Sequence, residues 1–145
     1  FFPLDGISNW NRIYGTDGFY QYQCVLPHQG GEQAMRSLLR DIHRSGEASF
    51  LAVLKVFGDL RSPGLLSFPR SGLTLALDFP NRGEKTKNLL RSFDEIVMSV
   101  GGALYPAKDA RMPSKVFATG FPGLPAFILQ MDPKFSSAFW RRVRE

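Results

Sequence analysis

The stretch Tyr20-Gln21-Tyr22-Gln23-Cys24-Val25-Leu26 decides how this chain is expected to fold. Aromatic and apolar side chains occupy every second position and glutamines stand between the first of them, which is typical of a β-strand with one face on a core. Residues 49–57 and 73–79 form two more strand-like apolar runs, and residues 103–105 form a shorter one. The sequence therefore predicts four strands.

Two helices are predicted between these strands. Met35, Leu38, Leu39 and Ile42 recur at helical spacing, and Gly46 is suited to end that helix. A second apolar stripe covers residues 89–100 and is followed by a pair of glycines. The order β-α-β-β-α-β predicts an α+β fold of the ferredoxin-like type, an antiparallel sheet with its helices on one face and an open opposite face. The rest of the chain is predicted to form short helices that are broken by Pro113, Pro122, Pro125 and Pro133.

Alternation along the strands assigns each residue to a face of the sheet. The apolar side, expected to lie under the two helices, holds Tyr20, Tyr22, Cys24, Leu26, Phe50, Ala52, Leu54, Val56, Leu73, Leu75, Leu77 and Phe79. The open side mixes polar and apolar residues: Gln21, Gln23, Val25, Leu51, Val53, Lys55, Phe57, Thr74, Ala76, Asp78 and Tyr105. Such a face is too apolar to be bare and too polar to be a dry core, so we expect it to cover a ligand or another domain.

Size and composition favour one domain over residues 1–145. The single cysteine, Cys24, leaves no internal disulfide, and with two histidines no metal site is expected. The net charge of +5 is interpreted as scattered and solvated. The apolar runs have strand length, so no membrane-spanning helix is predicted. The chain starts with Phe1 rather than Met, which indicates a piece of a longer protein.

Three polar residues of the open face carry chemistry. Gln21 and Gln23 lie two apart on one strand, so both amides project the same way and suit sugar hydroxyls or a heterocycle edge. The alternative is amide pairing across a wet sheet. Lys55 interrupts an apolar strand and needs an anion, a carbonyl or a water-filled site. Its alternative is a side chain that reaches solvent at a sheet edge.

The segment Tyr105-Pro106-Ala107-Lys108-Asp109 follows the last strand. A tyrosine hydroxyl and a lysine ammonium there could meet a flavin carbonyl or a substrate oxygen and stabilise charge that develops during hydride transfer. The alternative is a surface turn with a local Lys108–Asp109 ion pair. The sequence has no Gly-rich phosphate loop, no nucleophilic serine motif and no His-centred acid–base pair, so the chain alone lacks a complete catalytic set.

Motifs spread along the chain resemble the C-terminal, substrate-side domain of FAD-linked oxidoreductases of the decaprenylphosphoryl-β-D-ribose oxidase kind. These belong to the vanillyl-alcohol oxidase superfamily, with sugar-lactone and alditol oxidases as more distant relatives. The motifs that carry the resemblance are Phe2-Pro3-Leu4-Asp5, Asn9-Trp10-Asn11, Tyr20-Gln21-Tyr22-Gln23, Leu54-Lys55-Val56-Phe57-Gly58, Leu66-Ser67-Phe68-Pro69, Leu77-Asp78-Phe79-Pro80 and Leu104-Tyr105-Pro106-Ala107-Lys108-Asp109.

The resemblance implies that a separate N-terminal domain, absent from these residues, holds most of the FAD. It also implies that the domain formed by residues 1–145 covers the isoalloxazine ring with its open face. It implies oxidation of a sugar or polyol CH–OH group to a carbonyl, with hydride passing to the flavin. Residues 58–72 would form a mobile lid. Tyr105 and Lys108 would be catalytic and contact the cofactor, while the substrate-binding residues would be Gln21, Gln23, Lys55, Thr74 and Ala76.

Further expectations follow from the same resemblance. The partners would be the N-terminal FAD domain and the substrate, with no nucleic acid. The fragment alone would be inactive, and its uncovered face would let it self-associate. The protein would be bacterial and cytoplasmic, with membrane association as the alternative. One member of that family has a cysteine at the position of Ala76 and an asparagine near Thr74, so the comparison with that member implies a pocket of different shape here.

Two other readings of the same fold stay open. A ferredoxin-like sheet can bind nucleic acid or a small ligand by stacking on exposed aromatics, and Phe57 and Tyr105 are the aromatics on the open face. The domain could also serve interaction alone, through its open face. The discriminating observation is where the structure places five residues: Gln21, Gln23, Lys55, Tyr105 and Lys108. Their convergence on one concave site would favour the oxidoreductase, and their dispersal would favour interaction or plain structure.

Overall fold

The computed structural model describes Gly6 and residues 8–144 of the chain. The motif Phe2-Pro3-Leu4-Asp5 lies outside the described residues. The strands are β1 (Phe19–Leu26), β2 (Ala52–Phe57), β3 (Gly72–Pro80) and β4 (Ala103–Leu104). The helices are α1 (His28–Ser45), α2 (Glu84–Ser99), α3 (Ser114–Gly120), α4 (Leu124–Gln130) and α5 (Ala138–Arg144), and 3-10 turns cover Trp10–Tyr14 and Pro106–Lys108.

The four strands form one antiparallel sheet in the order β2-β3-β1-β4. The chain order β-α-β-β-α-β and the short C-terminal helices match the sequence prediction, so the predicted α+β fold is confirmed. Gly46 ends α1 with φ 66°, the left-handed conformation expected of a glycine at that position. None of the described helices combines the length and apolarity that crossing a membrane requires.

The main core lies between the sheet and the helices α1 and α2. Helix α1 packs on β1 and β3, and α2 packs on β1 and β4. Cys24, Phe79 and Phe93 are fully buried there, and the Tyr22 ring meets Phe93 edge-on at 5.3 Å. Each large apolar side chain buried in this way contributes about 1.5–3 kcal/mol relative to exposure. The alternating pattern of β1 and β3 is therefore what fixes the helix-covered face.

The prediction that β2 also lies under the helices is wrong. Leu54 and Val56 share the helix side of the sheet by register, but they are 60% and 67% exposed. The reason is position, because β2 is the edge strand and the helices sit over its neighbours. Phe50 was assigned to the same buried face, yet it precedes β2 and is 61% exposed.

A buried ion pair ties α2 to the segment before α3. Arg111 donates to both carboxylate oxygens of Asp94, at 2.7 and 2.8 Å, and to the Leu90 carbonyl at 2.9 Å. The Tyr22 hydroxyl donates to the same carboxylate at 3.3 Å. This network satisfies a carboxylate that the helix core would otherwise leave unpaired. It also fixes the segment that follows Lys108.

The start of β3 approaches the end of β1 closely at Gly72. Its φ is 148°, and a Cβ there would lie 2.1 Å from the Leu26 carbonyl oxygen. Only glycine fits both the backbone conformation and the space. This close contact between the two strands fixes the point at which residues 58–71 join the sheet.

Candidate functional site

The open face of the sheet is built from rows of residues that lie side by side across the strands. Val53, Ala76 and Gln23 are paired in register, and the Tyr105 amide donates to the Gln23 carbonyl at 2.8 Å. The neighbouring row on one side pairs Gln21 with Asp78. The strands thus bring polar residues from distant parts of the chain onto one surface, as the alternation predicted.

Both glutamine side chains are held by side chains of β3. Gln21 Nε2 donates to the Asp78 carboxylate and Gln23 Nε2 donates to the Thr74 hydroxyl, each at 3.2 Å. The cross-strand alternative is therefore right in geometry, although the partners are a carboxylate and a hydroxyl rather than amides. Within the described residues, the side-chain oxygen Oε1 of neither glutamine accepts a hydrogen bond from another side chain. Each amide is held in place by its Nε2 bond, so its Oε1 can accept a hydrogen bond from a ligand hydroxyl.

Asp78 is a buried carboxylate that the sequence patterns did not single out. It is 2% exposed, and besides Gln21 it accepts a hydrogen bond from the Tyr14 hydroxyl at 3.1 Å. Burial and the bond to Asp78 raise the pKa of Tyr14 to about 12. The signal available in the sequence was an acidic residue inside an apolar strand, which needs a partner when it is buried.

An aromatic wall stands on the open face. Phe68, only 4% exposed, packs its ring against Phe57 at 6.1 Å and against Tyr105 at 4.7 Å. Beside this wall lies a cavity of about 420 Å³, here called the sheet cavity, lined also by Gln23, Leu66 and Pro106. Phe68 comes from the segment that the sequence analysis assigned to a mobile lid. Phe68 packs on the sheet and Leu66, Ser67 and Arg70 are partly buried, whereas residues 58–65 are exposed.

Four of the residues singled out from the sequence line one narrow cleft next to the sheet cavity. They are Gln21, Gln23, Tyr105 and Lys108, and the cleft holds about 10 Å³, room for one water-sized group. Gln23 and Tyr105 line both the cleft and the sheet cavity. Tyr20, Tyr22, Leu90 and Arg111 line the same cleft from the helix side of the sheet, so it lies along the edge of β1 beyond β4, between the two faces of the sheet.

Lys108 keeps its charge unpaired within the described part of the chain. The alternative of a Lys108–Asp109 surface pair is wrong, because the Asp109 carboxylate pairs with Arg142 and accepts the backbone amides of Arg111 and Met112. Asp109 thus anchors the turn after β4 rather than neutralising its neighbour. The Lys108 ammonium remains free to meet an oxygen of a ligand.

The other three predicted substrate-binding residues, Lys55, Thr74 and Ala76, line neither the cleft nor the sheet cavity. Lys55 is exposed on the edge strand, is not among the residues that line the cleft or the sheet cavity, and makes no ion pair with a described residue, which fits the alternative of a side chain in solvent. Thr74 and Ala76 are 1% and 8% exposed. Thr74 accepts a hydrogen bond from the Gln23 amide and so orients a side chain that does line the cleft.

Comparison with known proteins supports the resemblance found in the motifs. The chain is 37% identical to the decaprenylphosphoryl-β-D-ribose oxidase of Mycolicibacterium smegmatis over 147 positions, which span 98% of this chain and 31% of that protein. It is 36% identical over 145 positions to an uncharacterized protein in the mprA 5′ region of Streptomyces coelicolor, spanning 97% of this chain and 38% of that protein. No family model matches the chain. The chain spans about a third of the length of the curated relatives that it matches.

Proposed function

We propose that this chain is the C-terminal, substrate-side domain of an FAD-dependent oxidoreductase, and that the parent protein oxidises a CH–OH group of a sugar or polyol to a carbonyl. The observation that carries the proposal is the sheet cavity of about 420 Å³ on the open face, which is lined by Gln23, Tyr105 and the aromatic wall, with Gln21 and Lys108 at the neighbouring cleft. The identity to an oxidase whose name specifies a ribose derivative supports the same substrate class.

The residues of the open face fit the ring end of a flavin. Lys108 is a cation without a carboxylate partner among the described residues, and Tyr105 offers a phenol beside it, so both can donate to a ring carbonyl. Phe57 and Phe68 offer an apolar surface. FAD, when bound, supplies the acceptor for the hydride. The sequence has no Gly-rich phosphate loop, so we assign the phosphate end to the separate N-terminal domain.

The protein side of the reaction follows from the charges in the cleft. As the substrate alcohol is oxidised, its carbon loses a hydride and its oxygen loses a proton to a water molecule at the cleft, so negative charge develops on that oxygen before the carbonyl forms. The Lys108 ammonium and the Tyr105 hydroxyl would donate to that oxygen, and an ammonium without a counter-ion stabilises such charge more than a paired one would. The carbonyl oxygens of Gln21 and Gln23 would accept from other substrate hydroxyls and fix the reacting carbon.

The aromatic wall has a separate role in this proposal. Phe57, Phe68 and Tyr105 form one packed surface beside the cleft, and a sugar ring placed against it excludes water from the reacting oxygen. The same packing argues against nucleic-acid binding. The open-face rings of Phe57 and Tyr105 both contact Phe68, so they are not free to stack on bases.

The test compares two lysine variants of the full-length protein. Lys108→Met removes the charge at the cleft, and Lys134→Met removes a charge at an exposed turn. Flavin content is measured from absorbance, and anaerobic bleaching is followed with a panel of sugars and polyols. We expect flavin in both variants, with bleaching by the active substrate slowed at least about 100-fold in Lys108→Met alone. A parent protein without flavin, or equal bleaching in both variants, would contradict the proposal.

A further inference from the structure

Asp109 places a carboxylate next to Lys108 in the chain, and both residues line the cleft. They form no ion pair with each other, because the Asp109 carboxylate is paired with the Arg142 guanidinium of α5. A carboxylate that paired with the lysine instead would offset the positive charge that the cleft presents. The residue that takes up Asp109 therefore bears on Lys108.

The Asp109 carboxylate is held through both of its oxygens. Oδ1 accepts the backbone amides of Arg111 at 2.9 Å and of Met112 at 2.6 Å, and Oδ2 accepts from Arg142. The side chain is 6% exposed, so water does little to screen its charge. The two amides are neutral, whereas Arg142 supplies the opposite charge.

The packing of α5 brings Arg142 to this carboxylate. Val143 is 2% exposed and fixes α5 in the core, where the helix packs on α3. The Arg142 guanidinium lies over the Phe139 ring, 5.6 Å from its centre. Because a guanidinium does not lose its proton in proteins, Arg142 is a permanent counter-ion for Asp109.

The backbone around Lys108 keeps its side chain at the cleft. The Lys108 amide donates to the Tyr105 carbonyl, and the Asp109 amide donates to the Pro106 carbonyl, each at 3.2 Å. The turn thus sets a flexible ammonium and a carboxylate side by side at one cleft. Any loss of the Arg142 partner would leave the Lys108 ammonium as the adjacent cation for Asp109.

We propose that Arg142 is a positioning residue of the site: it holds the Asp109 carboxylate away from Lys108 and so keeps the Lys108 ammonium available to the reacting oxygen. This role rests on the proposed function of Lys108 in the oxidation. An ammonium engaged in a local ion pair stabilises developing negative charge less than an unpaired one. Helix α5 would thereby set the charge of a cleft that none of its residues lines.

The alternative is that Arg142 only fastens α5 to the turn after β4. In that case Arg142→Met loosens the turn, and adding Asp109→Asn does nothing to repair it. Charge control predicts repair, because asparagine keeps an Oδ1 that accepts the two amides but has no charge to attract Lys108. The double variant therefore separates the two roles.

The first readout is the urea unfolding of the full-length protein, which needs no turnover. Hydrogen–deuterium exchange of peptides from residues 100–115 assigns the transition to this domain. Lys108→Met should leave the unfolding midpoint unchanged in the wild type and lower it in Arg142→Met, where Lys108 has become the partner of Asp109. It should have no effect again when Asp109→Asn is added. Equal effects of Lys108→Met in these backgrounds would overturn the proposal.

The second readout is anaerobic bleaching of the flavin by the active substrate. Arg141→Met is the matched control, because Arg141 is the exposed neighbour of Arg142 on α5. We expect Arg142→Met to slow bleaching about tenfold, the double variant to recover to within about threefold of the wild type, and Arg141→Met to have no effect. A double variant as slow as Arg142→Met would overturn the proposal.

Failure of the proposed function gives a different result. A wild-type protein that binds no flavin, or that no sugar or polyol bleaches, would contradict the oxidoreductase. The unfolding midpoints would still show whether Arg142 keeps Asp109 from Lys108, because that experiment measures only the coupling between the two side chains.

Discussion

The hydroxyl of Tyr14 donates a hydrogen bond to the carboxylate of Asp78 at 3.1 Å, across a sequence separation of 64 residues. The Tyr14 ring also stacks on Phe19 with centres 4.1 Å apart. Since Asp78 in turn holds the Gln21 amide, the segment before β1 fixes one of the side chains that line the cleft. The orientation of Gln21 therefore depends on residues that make no contact with the cleft.

The bond between Tyr14 and Asp78 predicts that the free energy of unfolding falls at alkaline pH. Because the pKa of Tyr14 is raised from 10 to about 12 by burial and by Asp78, folding favours its protonated form. The resulting stability is full below pH 10 and is lost as the pH rises to about 12. Tyr14→Phe should cost about 2 kcal/mol at pH 8, because it removes a hydrogen bond to a charged group. Urea unfolding from pH 8 to pH 12 should show the gap between the two proteins shrinking, and a gap that stays constant would argue against the assignment.

The Asp94–Arg111 pair should be costly to break and cheap to replace as a whole. The Asp94 and Arg111 side chains are 4% and 16% exposed, so Arg111→Met leaves a buried carboxylate without its cation. We expect a loss of about 3–5 kcal/mol in the free energy of unfolding. The double variant Asp94→Leu with Arg111→Met should recover most of that loss. A double-mutant cycle by urea unfolding checks this, and additive losses would contradict it.

Cys24 should react only when the protein opens. Its thiol is fully buried on β1, and burial raises its pKa to about 12. The thiolate is the reactive form, so labelling by a maleimide at neutral pH should be far slower than for a free thiol. Full labelling is expected in urea. Rapid stoichiometric labelling of the folded protein would show that the strand is not packed as described.

Gly72 should not tolerate a side chain. An alanine there would need a strained φ of 148° and would place its Cβ 2.1 Å from the Leu26 carbonyl oxygen. We expect Gly72→Ala to cost about 3 kcal/mol or more, from strain and overlap together. Gly58→Ala is the matched control, because a Cβ at Gly58 would meet no atom within 4 Å. Thermal unfolding of both variants gives the comparison, and similar melting temperatures would count against the close approach.

The edge strand should drive self-association of the isolated chain. Leu54 and Val56 present an exposed apolar strip on β2, whose outer backbone groups pair with no strand among the described residues. Exposed apolar edges pair with other chains, and Lys55, the one charged residue of β2, lies on the opposite face of the strand from Leu54 and Val56. Leu54→Lys should lower the concentration-dependent mass seen by sedimentation, whereas Leu129→Lys, on exposed α4, should not. If both variants behave like the wild type, association does not use this edge.

The alternation of β1 and β3 was enough to assign both faces of the central strands, because a residue's face depends only on strand periodicity. Burial of Leu54 and Val56 could not be read in this way, since it depends on where the helices lie across the sheet. Phe68 stands in a Gly- and Pro-rich stretch without periodicity, so its place between two rings of the open face was not predictable.

The shared face of Gln23 and Tyr105 was predictable, whereas the position of Lys55 away from the cleft and the partners of the cleft residues were not. Gln23 and Tyr105 were placed on one face by parity, and the structure sets them side by side. The Arg142 partner of Asp109 comes from the last helix, 33 residues away, and no local pattern indicates such a distant contact. Local sequence patterns thus assign a side chain to a face of the sheet, whereas the partner that neutralises its charge depends on tertiary packing.

The segment between β2 and β3 is divided at Leu66, with an exposed tip before it and a packed stem after it. The stem is fastened at its end by Arg70 to the Gly120 carbonyl, so the wall of the sheet cavity does not rely on the tip. Insertions, deletions or grafted sequences within residues 58–65 should therefore be tolerated by the fold. Length variation is thereby confined to the tip, while the stem keeps Phe68 against Phe57 and Tyr105.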